Sequence, residues 1–181
     1  MTTNSKPILV AFTGLAQAGK TTAAQAFLSL GYDRMSFADP IKAMIRCLTP
    51  VTDKLARPPE LCGKSIREVY QSLGTDWGRN MVGGDIWIRA GRFRIETLLS
   101  DVLSGVIRGV VIDDIRFDNE AELIRNMGGT VIEITRPNSV QMDHASEAGV
   151  SRHLIDHSFP NHTDIDSLKC QVLGKLYYGA P

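Results

Sequence analysis

The stretch Gly14-Leu15-Ala16-Gln17-Ala18-Gly19-Lys20-Thr21 carries the strongest structural signal in the chain. It matches G-x-x-x-x-G-K-[ST] in full. It lies between an apolar run, "PILVAF" at 7–12, and a segment that reads as a helix, "KTTAAQAFLSL" at 20–30. A strand before and a helix after are the context that gives the pattern its meaning. Glycines let the backbone curl until successive N–H groups point inward at a phosphate. The helix N-terminus adds about half a positive charge. Lys20 brings a full charge to β- and γ-phosphate oxygens, and Thr21 offers a hydroxyl to Mg²⁺. The alternative is a glycine-rich turn that merely joins strand to helix.

Working outward, "YDRMSF" reads as a second strand and "ADPIKAMIRCL" as a second helix with Pro40 in its first turn. The segment 49–63 carries three prolines and reads as an irregular connection. "SIREVYQSLGTDWGR" at 65–79 predicts one amphipathic helix, with Ser65 and Glu68 as a capping box. A long helix follows in "IWIRAGRFRIETLLSDVL". Then come a strand "GVVIDD" at 109–114, a helix "DNEAELIRNM" and a strand "GGTVIEIT" at 128–135. A polar stretch at 136–153 has no clear period. A short apolar piece near Ile155–Phe159 precedes the last helix, "DSLKCQVLGKL". Strands alternating with helices imply an α/β fold: three layers, a central parallel sheet covered by helices on both faces. Ligands in such sheets sit at the carboxyl ends of the strands, here just after Phe12, Phe37, Ile112 and Thr135.

The totals narrow the classes. The 181 residues suffice for one α/β domain with a small insertion, and 20 basic against 20 acidic residues give no net charge. Without a global basic field, long nucleic acid is a poor substrate and a small molecule a better one. No apolar signal core opens the chain, and Arg108 interrupts the run "VLSGVIRGVVI", so a membrane span is not expected and the cytoplasm is. Cys47, Cys62 and Cys170 form no CxxC pair, which argues against disulfides or zinc and for small buried hydrophobes.

Several polar residues follow the strands. Asp39 can orient an acceptor, take its proton or hold Mg²⁺ through water; equally it can cap the helix that Pro40 begins. Asp113 and Asp114 end an apolar strand, where one carboxylate would position Mg²⁺ or both could be a solvated strand end. Arg116 comes within reach of phosphates, whereas Asn119 and Glu120 read as caps and solvated helix positions. Arg67, Gln71 and Gly74-Thr75 share one face of the expected helix, with Arg79 a turn later. Two arginines with an amide between them suit a phosphomonoester and the edge of a base. Trp77 and Trp87 offer planes for stacking. The 136–153 stretch reads as a lid headed by Arg136, of the kind that covers a transferring phosphoryl group and excludes water. His144, Ser146 and Glu147 within it do not have zinc-ligand spacing. A switch GTPase would need D-x-x-G and N-K-x-D, which "DDIRF" and "NHTD" do not supply. A motor ATPase needs a longer chain. A small-molecule kinase is left, with a slow nucleotide-dependent binding or switch protein as the rival class.

In order along the chain, "GLAQAGKTTAA", "FADPIK", "YQSLGTDWGR…GGDIWI", "DDIRFDNEAELI…GGTVIEITRP", "HASE" and "NHTDIDSL" resemble the deoxynucleoside monophosphate kinases of bacteriophages, over roughly residues 8 to 175. Dephospho-coenzyme A kinase is a more distant look-alike. The resemblance implies an adenylate-kinase-like P-loop fold in a single domain, 1–181, with an acceptor-binding helical region at about 40–90 and a lid at about 136–153. It implies transfer of the ATP γ-phosphoryl group to a deoxynucleoside monophosphate. ATP phosphates would lie on Gly14, Ala16, Ala18, Gly19, Lys20, Thr21 and Thr22, with Arg136 facing ATP. The resemblance gives catalytic roles to Lys20, Asp39 and Arg136, and Mg²⁺ to Thr21 and Asp114. The acceptor would meet Asp39, Lys42, Arg67, Gln71, Thr75, Arg79, Trp87 and Arg116. Where relatives carry Asn-Asp-Gly-Thr near the C-terminus, this chain has Asn161-His162-Thr163-Asp164, so no adenine contact is carried over. Other acceptors, a hydroxymethylated pyrimidine free or in DNA or dephospho-coenzyme A, stay open. So does a homodimer on general symmetry grounds.

Overall fold

Short, largely apolar stretches become the central strands of one parallel sheet, and two more polar stretches become its edges. In the computed structural model, which describes residues 8–136, 149–162 and 165–178 (Ile165 without its side chain), the strands are β1 (Leu9–Thr13), β2 (Tyr32–Met35), β3 (Gly109–Ile112), β4 (Thr130–Thr135) and β5 (His157–Pro160). Their order is β2-β3-β1-β4-β5, and every pairing is parallel. In register, Val10 faces Val111 on one side and Thr130 on the other, and Val110–Ile112, Leu9–Phe12 and Val131–Ile132 are apolar runs in the central strands. Strands buried on both faces need such runs.

The helices are α1 (Lys20–Leu28), α2 (Asp39–Arg46), α3 (Ile66–Gln71), a π-helix (Ser72–Val82), α4 (Ile86–Leu103), α5 (Asp118–Asn126) and α6 (Ile165–Leu176). Alternation along β1 splits the core. Val10 and Phe12 pack with Ala23, Ala24 and Phe27 of α1 and Leu168 and Val172 of α6. On the other face, Leu9 and Ile124 of α5 close on Gly129, where a Cβ would stand 2.7–2.8 Å from their side chains. A sheet with α1 and α6 on one face and α5 on the other is a three-layer arrangement.

The chain divides into two compact units, 1–36 with 94–181, and 37–93. The sheet belongs to the first. The second holds its own cluster of Ile41, Ile45, Leu61, Ile66 and Trp87, with Val69, Tyr70, Leu73 and Ile86 against it.

Four local expectations change. The single helix expected over 65–79 begins as α3, with Ser65 and Glu68 in the capping box that its sequence announces, but from Ser72 it runs as a π-helix. Trp87 is the reason the register can widen. Its ring lies so close to Gly78 that a Cβ there would come within 2.5 Å, and its Nε1–H donates to the Gly74 carbonyl at 2.7 Å. That contact supplies a partner for a carbonyl of the wide turn. The second change concerns Asp39, which is the first residue of α2, not its cap; the cap position is Ala38, without a side-chain bond. Glu120 is the third: it is 4% exposed rather than solvated, and its carboxylate accepts the backbone N–H groups of Arg116 (2.8 Å) and Phe117 (3.3 Å). Last, the three cysteines are free and exposed, not buried. No helix among the described residues is long and apolar enough to cross a membrane.

Candidate functional site

β1 delivers the chain into the glycine loop, and the loop's backbone takes conformations that its residues were chosen to allow. Gly14 has φ 134°, Gln17 φ 63° and Gly19 φ 109°. At Gly14 a Cβ would lie 2.2 Å from the Ile134 carbonyl oxygen, so only glycine fits beside β4. Gly19 is the N-cap of α1, and neither a side-chain cap nor an acidic residue in the first turn occupies that helix end. The first N–H groups of the helix thus keep their positive end for an anion.

Lys20 is buried, with its ammonium turned back over the loop. Its Nζ donates to Gly14 O at 2.7 Å and Leu15 O at 2.9 Å. The Asp114 Oδ1 atom lies 3.4 Å from the same nitrogen, an ion pair outside hydrogen-bond geometry. Arg116 grips the other oxygen of Asp114 with Nε (2.9 Å) and Nη2 (2.8 Å). Asp114 Oδ1 is therefore buried and without a hydrogen-bond donor. A buried acceptor in that state is costly. A hydrated cation beside the loop would supply the donor. Mg²⁺ is commonly held by one or two carboxylates and substrate phosphates, with waters kept, and the residues at this end of β3 fit it.

The neighbouring carboxylate, Asp113, is 4% exposed and bound to Arg34 of β2. Arg34 was not among the residues the sequence singled out. Nothing in its local pattern marks it, because the partner lies 79 positions away. Asn161, which the sequence marked only as the start of the terminal Asn161-His162-Thr163-Asp164 stretch, has a contact there that the pattern did not announce. Its side-chain amide donates to Ala18 O at 2.8 Å and its backbone N–H to Thr135 O at 2.7 Å, so the end of β5 braces the glycine loop. Arg136, just past β4, donates to Gln17 O at 3.4 Å, on the same loop.

All the residues expected to meet ATP and metal, together with Arg116, fall in the first unit. Ala18 is buried, Ala16, Gly19 and Thr22 are half-buried, and Thr21 is exposed. The remaining expected acceptor residues fall in the second unit. Asp39 pairs with Lys42 at 2.9 Å one turn along α2. Arg67, Gln71, Thr75 and Arg79 are half-buried, the first two on α3 and the last two on the π-helix. Trp87 is 5% exposed, with its N–H occupied by Gly74, so it serves the core of that unit and offers no open plane. Trp77 is 37% exposed, with its ring 6.2 Å from that of Trp87. His144, Ser146, Glu147 and most of the expected lid lie outside the described residues, as do Thr163 and Asp164.

Comparisons with known proteins place the chain in a family. The family model described as deoxynucleotide monophosphate kinase matches residues 60–172. A protein of Acanthamoeba polyphaga mimivirus, provisionally named a deoxynucleotide monophosphate kinase, is 30% identical over 92% of this chain and 94% of its own. The deoxynucleoside-5'-monophosphate kinase of Escherichia phage T5 is 32% identical over 60% of this chain, but that match spans 44% of the phage protein, less than half its length. Among solved structures, dephospho-CoA kinase from Campylobacter jejuni superposes with a TM-score of 0.51 over 94% of this chain and 98% of its own, at 15% identity, a likeness of fold. The chain belongs to the deoxynucleotide monophosphate kinase family.

Proposed function

We propose that this chain moves the γ-phosphoryl group of ATP to a deoxynucleoside 5′-monophosphate and releases ADP and the diphosphate. A phosphate oxygen of the monophosphate forms the new bond to the γ-phosphorus, and the bond to the β–γ bridging oxygen breaks. Such a transfer asks the protein for position and charge more than for covalent chemistry. The single observation that carries the reading is the end of β3 against the glycine loop: an uncapped helix start, Lys20 over the loop carbonyls, and the orphaned Asp114 Oδ1 beside its ammonium.

Each residue then has a role. The N–H groups of Gly14 to Thr22 hold the ATP phosphates. Lys20, now on loop carbonyls, turns to the β- and γ-oxygens and neutralises charge as it moves. Thr21 and Asp114 would hold Mg²⁺, the latter through water, and a bound Mg²⁺ supplies positive charge to the phosphate oxygens. Arg116 and Arg136 add charge at the transferring group. Asp39, paired with Lys42, orients the acceptor. Arg67 and Arg79 take its phosphate, and Gln71 and Thr75 the edge of its base. Trp87 contributes indirectly, by holding the π-helix on which Thr75 and Arg79 stand. The nucleotides it acts on are cytoplasmic, and we place the protein with them, in the host cell if a phage carries the gene.

The test is ADP release from Mg·ATP with dAMP, dGMP, dCMP, dTMP, dUMP and 5-hydroxymethyl-dUMP, with products separated by chromatography. At least one monophosphate should become a diphosphate well above the acceptor-free rate. ATP binding without conversion of any of them sinks the acceptor assignment. Conversion of dephospho-coenzyme A or hydroxymethylated DNA instead would replace it.

A further inference from the structure

The two carboxylates that end β3 are gripped in parallel. Arg116 takes Oδ2 of Asp114 with two donors. Arg34 takes Oδ2 of Asp113 likewise, Nε at 2.8 Å and Nη2 beside it. Each aspartate is left with a buried Oδ1 that has no hydrogen-bond donor. A carboxylate retained for stability alone would fill both oxygens, as Asp118 does four residues further on, where Ser151 donates its N–H to one (2.7 Å) and its hydroxyl to the other (2.6 Å). Burying an ion pair with an unmet oxygen is seldom better for stability than an apolar side chain of the same size, and the three residues before Asp113 are valine, valine and isoleucine. Asp113 is thus poorly explained as packing.

Its place along the chain explains it better. Asp114 stands between two ties that run to the two neighbours of β3. On one side Asp113 is tied through Arg34 to β2. On the other the N–H of Ile115 donates to Phe12 O, the end of β1, at 2.9 Å, and Ile115 is itself buried. The peptide units on both sides of Asp114 are therefore fixed, and its free oxygen is presented to Lys20. We infer that Arg34 and Asp113 are a positioning pair for phosphoryl transfer: they hold the end of β3 so that Asp114 faces Lys20 and the metal–phosphate site. This rests on the role given above to Asp114. Arg34 touches no reacting atom and acts through Asp113 and the backbone.

The test is Arg34→Gln, at a half-exposed side chain on the sheet edge where folding is least at risk, with Arg34→Lys beside it. Two quantities are read: the Mg²⁺ concentration that half-saturates ADP binding by calorimetry, and the split between kcat and KM for the deoxynucleotide. Loss of one tie should raise the Mg²⁺ requirement about fivefold and lower kcat on the order of tenfold, with KM for the monophosphate within about twofold, since small misplacements act on the reacting geometry rather than on distant contacts. Arg34→Lys, which keeps the charge but not the fork, should fall between. Asp113→Asn should shift the Mg²⁺ dependence in the same direction. Combining it with Arg34→Gln should add little, because one tie cannot be lost twice. A lower Tm with wild-type Mg²⁺ dependence and kcat overturns the inference, and so do multiplying effects in the double variant. If the wild type phosphorylates no deoxynucleotide, the proposed function fails by itself, and Mg²⁺-dependent ADP binding still decides the role of the pair.

Discussion

The glycine loop at 14–21 and the π-helix at 72–82 both depend on glycines, and they were not equally readable. In the loop, Gly14 and Gly19 stand at φ values of 134° and 109°, which side chains avoid, and the residues around them are few and fixed. The chemistry imposes the pattern, so the pattern announces the chemistry. In the π-helix, Gly74 and Gly78 have no unusual backbone angle. They matter because Trp87, from the next helix, fills the space at Gly78 and binds the carbonyl of Gly74. A motif carries its own explanation; a tertiary contact does not appear in the segment it reshapes.

The largest effect is expected at Lys20. Lys20→Ala removes the full charge over the loop, and kcat should fall about 10³-fold, on the scale of losing a preorganised donor to developing charge, while Tm changes little. Activity within tenfold of wild type would remove Lys20 from the chemistry. Gly14→Ala is next. Its Cβ would meet the Ile134 oxygen at 2.2 Å, with backbone that cannot yield easily. It should cost on the order of 3 kcal/mol of stability and abolish nucleotide binding, both visible in thermal unfolding with and without ADP. A variant that binds ADP normally would show that the loop tolerates what its geometry forbids.

Gly78→Ala probes the π-helix. Three Trp87 ring atoms lie 2.5–2.7 Å from where the new Cβ would stand. The ring must move, at a cost of about 2 kcal/mol. KM for the deoxynucleotide should rise several-fold with KM for ATP unchanged, because the residue belongs to the unit given the acceptor. Equal effects on both would deny the division of labour. The smallest effect is a pH dependence of stability, expected alike in both units. The Ser65 hydroxyl and N–H hold Glu68 below its ordinary value of 4.5, and the Ser151 hydroxyl and N–H hold Asp118 below 3.8. A lowered carboxylate stabilises the fold above its ordinary value, and that contribution is lost as pH falls through the folded one. Ser65→Ala and Ser151→Ala should each be less stable than wild type at pH 7, and the gap should narrow below about pH 4 as the carboxylates protonate in either protein. A gap that is constant with pH would mean that the serines act only as neutral hydrogen-bond partners.

The limits of the sequence follow the same division. Strand order apart, the sheet was legible because "LVAF", "GVVI" and "TVIEIT" are short apolar runs between turn signals. Lys20, Thr21 and Asp114 were legible through local pattern. The Arg34–Asp113 pair and the brace from Asn161 to Ala18 were not, since each joins residues far apart in the chain. Trp87 was misjudged as an open plane because amphipathic patterning marks a tryptophan as apolar but cannot say whether water or a glycine faces it. The cysteines went the other way: a residue type that is usually buried sits exposed at all three positions, for no reason visible in their neighbours.

The most direct measurement is the fate of label from [γ-³²P]ATP mixed with a single deoxynucleoside monophosphate and Mg²⁺. The account predicts that, in wild type, the label appears on the deoxynucleoside diphosphate as fast as ADP is formed. The Lys20→Ala protein should make neither at a comparable rate. Label released as inorganic phosphate at the same rate with and without the monophosphate would contradict it.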